Sequence, residues 1–344
     1  METKRIKVLI VDDSLLFREV LSKFVGEDKN IEIVGTAGDP YDARDRIIEL
    51  RPDVLTLDIE MPKMNGIEFL KKLMPQYPVP VVVVSSLPIN AFEALDAGAV
   101  DFVKKPVAKG LDDLKAFALD LREKIKIASN AKVSKTGIQA QKTVEKSSFK
   151  AIKQNDKSII AIGASTGGTE AILSVIKNLP KTTPPIVITQ HMPPKFTNMF
   201  AERLNRLCEM EVREAQDGDR LKEGLVLIAA GDYHMTLARD SEGYYVNSTP
   251  GEKVSGHCPS VDVLFDSVAE VAKENAIGVI LTGMGSDGAK GMLKMKKAGA
   301  HTIGQDKDSC VVYGMPMVAF NIGAVAIQSP LGNIPQEIYK QLQG

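Results

Sequence analysis

Short runs of aliphatic and β-branched residues alternate with amphipathic stretches in the first third of the chain. The runs at residues 7–11 (KVLIV) and 81–84 (VVVV) are apolar almost throughout, which is typical of strands buried on both faces. The stretches between the runs have the spacing of helices with one apolar face. Because parallel strands need a crossover connection, this alternation predicts a parallel sheet covered by helices on both sides.

Five strand–helix pairs are predicted in this first part. The strands are predicted at 7–11, 31–36, 54–57, 81–84 and 100–104, and the helices at 14–25, 40–50, 66–74, a stretch ending at 97, and 111–127. The pattern is (βα)5, which indicates an α/β fold with a doubly wound parallel sheet.

The second part of the chain repeats this alternation without repeating the sequence. Strands are predicted at 158–162, 186–189, 224–229, 278–281 and 301–304, and helices at 168–178, 195–207, 260–274 and 289–298. We therefore expect a second doubly wound, mostly parallel α/β sheet. With 344 residues the chain is too long for one hydrophobic core.

A basic polar segment separates the two parts. Residues 123–157 contain nine lysines and three acidic residues, with few apolar side chains, a composition that cannot offset the entropy of ordering. The predicted organisation is a first domain at 1–122, a linker at 123–157, helical at its start, and a second domain at 158–344. The alternative is a basic strip that binds a membrane or RNA, although its lysines are spread rather than clustered.

Composition excludes several classes of function. The formal net charge is −1 and tryptophan is absent, which disfavours nucleic acid as a partner. No apolar run approaches the length of a membrane span, so direct membrane insertion is not expected. The cysteines are three, far apart, and without metal or disulfide spacing. The sequence predicts a reduced, cytoplasmic protein.

Polar residues follow the predicted strands of the first domain. Asp12 and Asp13 follow the first strand, Asp58 the third, Ser85 the fourth and Lys105 the fifth. The carboxyl ends of parallel strands meet at one sheet edge, so three carboxylates are expected to converge there. A divalent cation relieves such crowding, and hard oxygen ligands favour Mg²⁺. In the alternative interpretation these acids cap helices, as Asp13 and Asp58 are placed to do.

These residues suit phosphoryl transfer, with Asp58 as acceptor and Lys105 and the metal neutralising charge. The set, with the LDIEMPKMNG segment around Asp58 and the Lys105-Pro106 pair, resembles the response-regulator receiver family over residues 1–122. The resemblance implies a flavodoxin-like domain and phosphorylation of Asp58 by a histidine kinase. It also implies Mg²⁺ held by Asp13, Asp58 and the carbonyl of Glu60, with Asp12 nearby.

Two further details follow from this resemblance. It implies a cis peptide bond before Pro106. Phe102 stands where single-domain chemotaxis receivers often have tyrosine, so a hydroxyl used in some receivers is missing here.

Three loops of the second domain carry a serine, a histidine and an aspartate. Gly163 to Gly167 match G-x-S-x-G around Ser165, at a strand-to-helix turn that exposes the serine oxygen and that elsewhere also binds phosphate. His191 ends the next strand, where it can accept the serine proton. Asp287 lies in the glycine loop GMGSDG, where it can orient the histidine.

Other chemistry remains open at these loops. The GMGSDG loop also matches G-x-G-x-x-G, with Asp306 downstream as a ribose ligand, which would make a dinucleotide site. Against this, Asp287 would place a carboxylate in the phosphate cradle. His257 can line a cleft, and Cys258 beside it is a weaker candidate nucleophile. His234 and His301 are interpreted as structural.

The second domain resembles the chemotaxis protein-glutamate methylesterase family. The resemblance rests on GASTGG around Ser165, TQHMPP around His191 and LTGMGSDG around Asp287. It implies that Ser165 attacks glutamate methyl esters of chemoreceptors to give glutamate and methanol, with glutamine deamidation as a second activity. The backbone N–H groups of Thr166 and Met284 are expected to bind the oxyanion, and no cofactor is expected for this chemistry.

The order serine, histidine, aspartate differs from that of the α/β-hydrolases, so their fold is not assumed. A receiver before such a domain further implies that phosphorylation relieves inhibition of the esterase. Two other classes stay open: a phosphorylation-controlled binding module without catalysis, and a receiver with a DNA-binding output, which the neutral charge disfavours.

Overall fold

The computed structural model of the chain describes residues 4–86, 88–106, 110–133 and 158–343. The chain divides into two compact units, Met1–Ala140 and Gln141–Gly344, each of which is described by itself. Within the described ranges, none of the helices combines the length and the apolar character that crossing a bilayer requires.

The first unit is a (βα)5 domain. Its elements are β1 (Ile6–Val11), α1 (Leu15–Gly26), β2 (Ile31–Ala37), α2 (Pro40–Leu50), β3 (Val54–Asp58), α3 (Gly66–Leu73), β4 (Val81–Ser85), α4 (Pro88–Asp96), β5 (Asp101–Lys104) and α5 (Leu111–Ala128). Polar side chains fix the starts of three helices, because Ser14, Asp39 and Asn65 accept hydrogen bonds from first-turn amides.

The five strands are all parallel, in the order β2-β1-β3-β4-β5. This is the flavodoxin-like order, in which the chain reverses direction across the sheet between β1 and β3. The strands β3 and β4 are buried along their whole length. The carboxyl ends of β1 and β3 therefore form a crevice at the place where doubly wound sheets bind ligands.

The second unit is larger. Its strands are β6 (Ile159–Ala164), β7 (Ile186–Gln190), β8 (Glu211–Glu214), β9 (Leu225–Ile228), β10 (Tyr233–Asp240), β11 (Gly243–Pro250), β12 (Ala276–Ile280), β13 (His301–Gln305) and β14 (Ile327–Ser329). Its α-helices are α6 (Gly168–Ile176), α7 (Phe196–Leu207), α8 (Val261–Val271), α9 (Ala289–Lys297), α10 (Met315–Asn321) and α11 (Ile334–Gln343), with short 3₁₀ turns at Lys273–Asn275 and Leu331–Asn333.

Seven of these strands form a parallel sheet in the order β14-β13-β12-β6-β7-β9-β8. The remaining two, β10 and β11, form an antiparallel hairpin whose inward side chains join the core that includes Phe265 of α8. The central strands β6, β12 and β7 are fully buried. Their carboxyl ends lie side by side, and the loops that follow them contain Ser165, His191 and Asp287.

The predicted architecture of both domains is confirmed, and each predicted element bound lies within three residues of the observed one. The sequence analysis missed β8, the β10–β11 hairpin, α10, β14 and α11. Of the predicted linker 123–157, the start belongs to α5, which runs to Ala128, and residues 134–157 lie outside the described residues.

One detail implied by the receiver resemblance is wrong in this structure. The cis peptide bond among the described residues joins Cys258 to Pro259, and the Lys105–Pro106 bond is not cis. The trans form is the lower-energy state of an X-Pro bond, and with it Lys105 already reaches the carboxylates of Asp12 and Asp58.

Candidate functional site

The crevice of the first unit holds two buried carboxylates and one ammonium group. Asp12 and Asp58 are almost completely buried at the ends of β1 and β3. The Nζ atom of Lys105 donates to Asp12 at 2.9 Å and to Asp58 at 2.7 Å. These three residues are brought together because β1 and β3 are paired in the sheet and Lys105 follows β5 at the same edge.

Burial controls the electrostatics of this crevice. It raises the pKa of Asp58 to about 6, and the charge of Asp12 adds to the rise, against the opposing hydrogen bond from Lys105. Burial alone would lower the pKa of Lys105, but its hydrogen bonds to Asp58 and Asp12 raise it. One cation therefore balances two carboxylates incompletely, which leaves the crevice suited to a further positive charge.

Asp13 completes a candidate metal site. One carboxylate oxygen from each of Asp12, Asp13 and Asp58 lies within 4.8 Å of the others, and Asp13 is exposed. An all-oxygen donor set with an open side fits Mg²⁺. The helix-cap interpretation of Asp13 and Asp58 is wrong, because Ser14 caps α1 and Asn65 caps α3.

Two other predicted residues border this crevice. Ser85 is fully buried at the end of β4, and its carbonyl accepts from the Lys105 amide at 2.8 Å. The amide of Glu60 donates to Asp58 Oδ1 at 3.2 Å, so Glu60 directly borders the Asp58 carboxylate. Phe102, in place of a tyrosine, is buried and meets Phe92 edge to face at 6.2 Å between ring centroids.

In the second unit, Ser165 lies directly after β6, in the turn that leads into α6. The turn closes with a hydrogen bond from the Gly168 amide to the Ser165 carbonyl at 2.7 Å. Gly167 has a positive φ of 76°, where a side chain would also meet Val311. The side chain of Ser165 is partly exposed, as a nucleophile must be.

His191 occupies the equivalent place on the neighbouring strand. Ala164 of β6 pairs with Gln190 of β7, so Ser165 and His191 are the next residues at the same edge. The His191 amide donates to the Ala164 carbonyl at 3.2 Å, and the Gln190 side-chain amide donates to the Ser165 carbonyl at 2.9 Å. The two loops are therefore fixed to each other through their backbones.

Asp287 makes direct contact with the histidine. Nε2 of His191 donates to Oδ2 of Asp287 at 2.8 Å, and both side chains are over nine-tenths buried. Burial alone would raise the pKa of Asp287, but the hydrogen bond and charge of His191, with backbone donors, hold the pKa below its usual value. Asp287 is thus an ionised acceptor that fixes the proton of His191 on Nε2.

The start of α8 holds Asp287 in place. Its carboxylate accepts from the Ser260 hydroxyl at 2.8 Å and from the amides of Val261 at 2.7 Å and Asp262 at 3.0 Å. These are unpaired N–H groups at a helix N-terminus, where negative charge is favoured. This role of Ser260 was not predicted, because the sequence places Ser260 as the first residue of the helix predicted at 260–274.

The other ring nitrogen of His191 is left available. Nδ1 is buried and has no hydrogen-bond partner among the described residues. The hydroxyl of Ser165 likewise has no hydrogen bond to a residue of the described ranges. An imidazole with one nitrogen fixed by a carboxylate and the other unpaired is arranged to accept a proton at Nδ1.

The loop that contains Met284 approaches the loop that contains Ser165 and Thr166. The Ser165 amide donates to the Thr282 carbonyl at 3.0 Å, and a Cβ on Gly283 would lie 2.7 Å from Cβ of Ser165. Gly283, which directly precedes Met284, therefore lies against Ser165. Thr166, which follows Ser165, is buried, and its carbonyl accepts from the Thr282 hydroxyl at 3.0 Å.

The alternatives for these loops gain no support from the geometry. Asp306 accepts hydrogen bonds from the amide and hydroxyl of Ser309, which is a local turn rather than a ribose site. Burial raises the pKa of the Cys258 thiol, which disfavours a nucleophilic thiolate. Its neighbour His257 stacks on His191. The sequence predicted only that His257 can line a cleft, and this contact was missed.

Comparison with known families assigns both units. The CheB methylesterase family model matches residues 160–338. The response regulator receiver domain model matches residues 8–116.

Relatives match the whole length of the chain. A protein-glutamate methylesterase/protein-glutamine glutaminase 2 of Syntrophomonas wolfei is 57% identical over 99% of this chain and 98% of its own. The protein-glutamate methylesterase/protein-glutamine glutaminase of Salmonella typhimurium is 48% identical over 98% of this chain and 97% of its own. Among solved structures, the Thermotoga maritima CheB methylesterase catalytic domain matches at 42% identity and a TM-score of 0.52, over 53% of this chain and 97% of that one.

Proposed function

We propose the following mechanism for this chain, which belongs to the CheB methylesterase family and carries a response regulator receiver domain. It is a carboxylic-ester hydrolase that converts glutamate methyl esters of chemoreceptors to glutamate and methanol under the control of phosphorylation. The observation that carries the mechanism is the His191–Asp287 pair beside Ser165, with His191 Nδ1 buried and unpaired.

The reaction starts at the serine hydroxyl. Nδ1 of His191 accepts the proton as Ser165 Oγ bonds to the ester carbonyl carbon, and the C=O electrons move onto the oxygen. The N–H groups of Thr166 and Met284 donate to this oxyanion, and each such donor contributes about 3 kcal/mol to transition-state stabilisation. Asp287 stabilises the imidazolium that forms.

Acylation ends with the loss of methanol, and hydrolysis of the acyl-enzyme then regenerates the serine. The imidazolium returns its proton to the departing methoxide, which leaves as methanol and gives an acyl-enzyme on Ser165. Water then loses a proton to Nδ1 of His191 and attacks the acyl carbon. The Ser165–acyl bond breaks as Ser165 Oγ takes that proton back from the imidazolium, which gives glutamate and the free enzyme. A glutamine amide that enters the same site leaves as ammonia, which accounts for the glutaminase activity in the relatives' names.

Release of methanol from methylated receptor tests this assignment. We expect Ser165→Ala to lower the rate by roughly 10⁴-fold or more, because it removes the nucleophile. Ser241→Ala, which changes an exposed serine in the hairpin turn, is the matched control and retains full activity. Methanol release near the wild-type rate by Ser165→Ala would rule out this nucleophile.

For the receiver we propose Asp58 as the phosphoryl acceptor and a histidine kinase as the donor. Asp13, Asp58 and the carbonyl of Glu60 would hold Mg²⁺, with Asp12 nearby, in the carboxylate cluster described above. Bound there, Mg²⁺ neutralises charge on the phosphoryl oxygens. Lys105 pairs with a phosphoryl oxygen and the Ser85 hydroxyl donates to another, which spreads the added charge over two side chains.

A further inference from the structure

A second histidine lies flat against the proposed base. The rings of His257 and His191 are 3.6 Å apart between centroids, with an angle of 10° between their planes. His257 comes from the segment between β11 and α8, far in sequence from His191, which directly follows β7. The contact therefore joins two loops that the proposed mechanism leaves unconnected.

The segment that carries His257 is built as a tight reverse turn. Val254 and His257 exchange two backbone hydrogen bonds of 3.0 Å each across Ser255 and Gly256. Both central residues have positive φ, 53° and 84°, as a two-residue type I′ turn requires. His257 thus sits at a defined position at the end of a turn, with its side chain only partly exposed.

A third histidine fastens the base of this segment. The Ser260 amide donates to Nδ1 of His234 at 3.3 Å, so Nε2 of the same ring carries the proton and donates to the Glu252 carbonyl at 2.8 Å. His234 itself lies in β10 and is over nine-tenths buried. Its two ring nitrogens thus link Glu252 and Ser260, which lie on either side of the turn, and restrain the segment between them.

The stack supplies a restraint that Asp287 alone does not. The hydrogen bond to Asp287 fixes one atom of the His191 ring, whereas the direction of the Nδ1 lone pair depends on the plane of the whole ring. A second ring packed on the face fixes that plane. The face of an aromatic ring also attracts the positive charge that His191 acquires when it accepts the serine proton.

We propose that His257 is a positioning residue, which holds the imidazole plane of His191 by face-to-face stacking so that Nδ1 points at the Ser165 hydroxyl. The inference deepens the proposed function and rests on His191 being the base. His257 is not a second ligand of a shared metal ion, because lone pairs lie in the ring planes and stacked parallel rings cannot converge on one ion.

Two substitutions of His257 separate a planar ring from mere bulk. His257→Leu keeps an apolar side chain but removes the flat face, and we expect kcat for methanol release to fall about tenfold, with KM within about twofold. His257→Phe restores a planar face and is expected to stay within about threefold of the wild-type kcat. His301→Leu, at an exposed histidine that begins β13, is the control and matches wild type.

A fluorophosphonate ester that labels Ser165 measures the reactivity of the serine without any receptor. Failure of the proposed function appears as a wild-type chain that labels at Ser165 but releases no methanol from methylated receptor. The inference fails separately if His257→Leu labels as fast as wild type, or if His257→Phe is as slow as His257→Leu. Slower labelling by the leucine variant alone, at unchanged KM, is the result that supports it.

Discussion

At the scale of single residues, the buried aspartates Asp287 and Asp58 have opposite electrostatics. Asp287 receives the Nε2–H of His191 and three further donors, which hold its pKa below the usual value. Asp58 shares one ammonium with Asp12, and burial raises its pKa to about 6. The pKa values differ because Asp287 has more hydrogen-bond donors than Asp58. The low pKa suits Asp287 to orienting His191 as an anion, and the crowded charge at Asp58 suits it to a cation and to the proposed phosphoryl group.

The raised pKa of Asp58 predicts a pH-dependent cost in stability. A carboxyl whose folded pKa exceeds its unfolded value of 3.8 favours folding below that value, and this contribution is lost as pH rises through about 6. Without Mg²⁺, Asp58→Asn should therefore raise the free energy of unfolding of the receiver at pH 8 by about 2 kcal/mol and much less at pH 4.

Native-state hydrogen exchange of the β3 and β4 amides in EDTA, corrected for the intrinsic rate at each pH, measures this difference. Asp53→Asn is a control, since that partly exposed aspartate pairs with Lys4 at the other end of β3. An equal effect of Asp58→Asn at pH 4 and pH 8 would contradict the assignment of the raised pKa.

At the scale of elements, the turn between β6 and α6 depends on close packing. Gly167 has a φ of 76°, and a Cβ there would lie 2.7 Å from the buried Val311 side chain. Gly218 has nearly the same φ, 81°, with no atom within 4 Å of an added Cβ. The two glycines separate the cost of backbone conformation from the cost of the contact.

Alanine at each glycine tests this distinction. Gly218→Ala should lower the free energy of unfolding by about 1–2 kcal/mol, the cost of a left-handed non-glycine residue, without changing methanol release. Gly167→Ala should cost about 2–4 kcal/mol, because overpacking adds to that strain, and it should slow methanol release at least about tenfold by displacing Ser165. Urea unfolding and receptor assays measure both. Equal losses in the free energy of unfolding for the two variants would mean that overpacking against Val311 does not destabilise the protein.

The secondary-structure elements also show which parts of the fold could be predicted from the sequence. Buried strands such as β4 and β12 are continuous apolar runs, and glycine turns mark the loops that follow them, so the sheet edges and the residues on them were predictable. The β10–β11 hairpin was missed because its two eight-residue strands are not continuous apolar runs and carry polar side chains such as Arg239 and Asn247. The stack of His257 on His191 depends on packing between segments, which no local pattern encodes.

At the scale of the whole molecule, the proposed phosphoryl acceptor lies in one compact unit and the proposed ester-hydrolysing site in the other. On the proposed function, phosphorylation of Asp58 replaces the carboxylate charge of −1 with an acyl phosphate of about −1.5 to −2, which changes the balance around Lys105. None of the proposed steps of ester hydrolysis uses this charge. Its effect on the rate is therefore expected to arise from a shift between conformational states of the receiver. Control is therefore a property of the joined chain.

A small acyl phosphate with Mg²⁺ tests this control without the kinase. We propose that the unphosphorylated receiver inhibits the esterase, so the full chain should release methanol faster when the phosphodonor is added. Asp58→Asn should remain at the basal rate, because it lacks the acceptor oxygen. A fragment of residues 158–344 should be faster than the unphosphorylated chain and indifferent to the donor, because inhibition and relief both require the receiver. If the fragment instead matches the basal rate of the full chain, the receiver does not inhibit, and phosphorylation has to act by activating the catalytic unit directly.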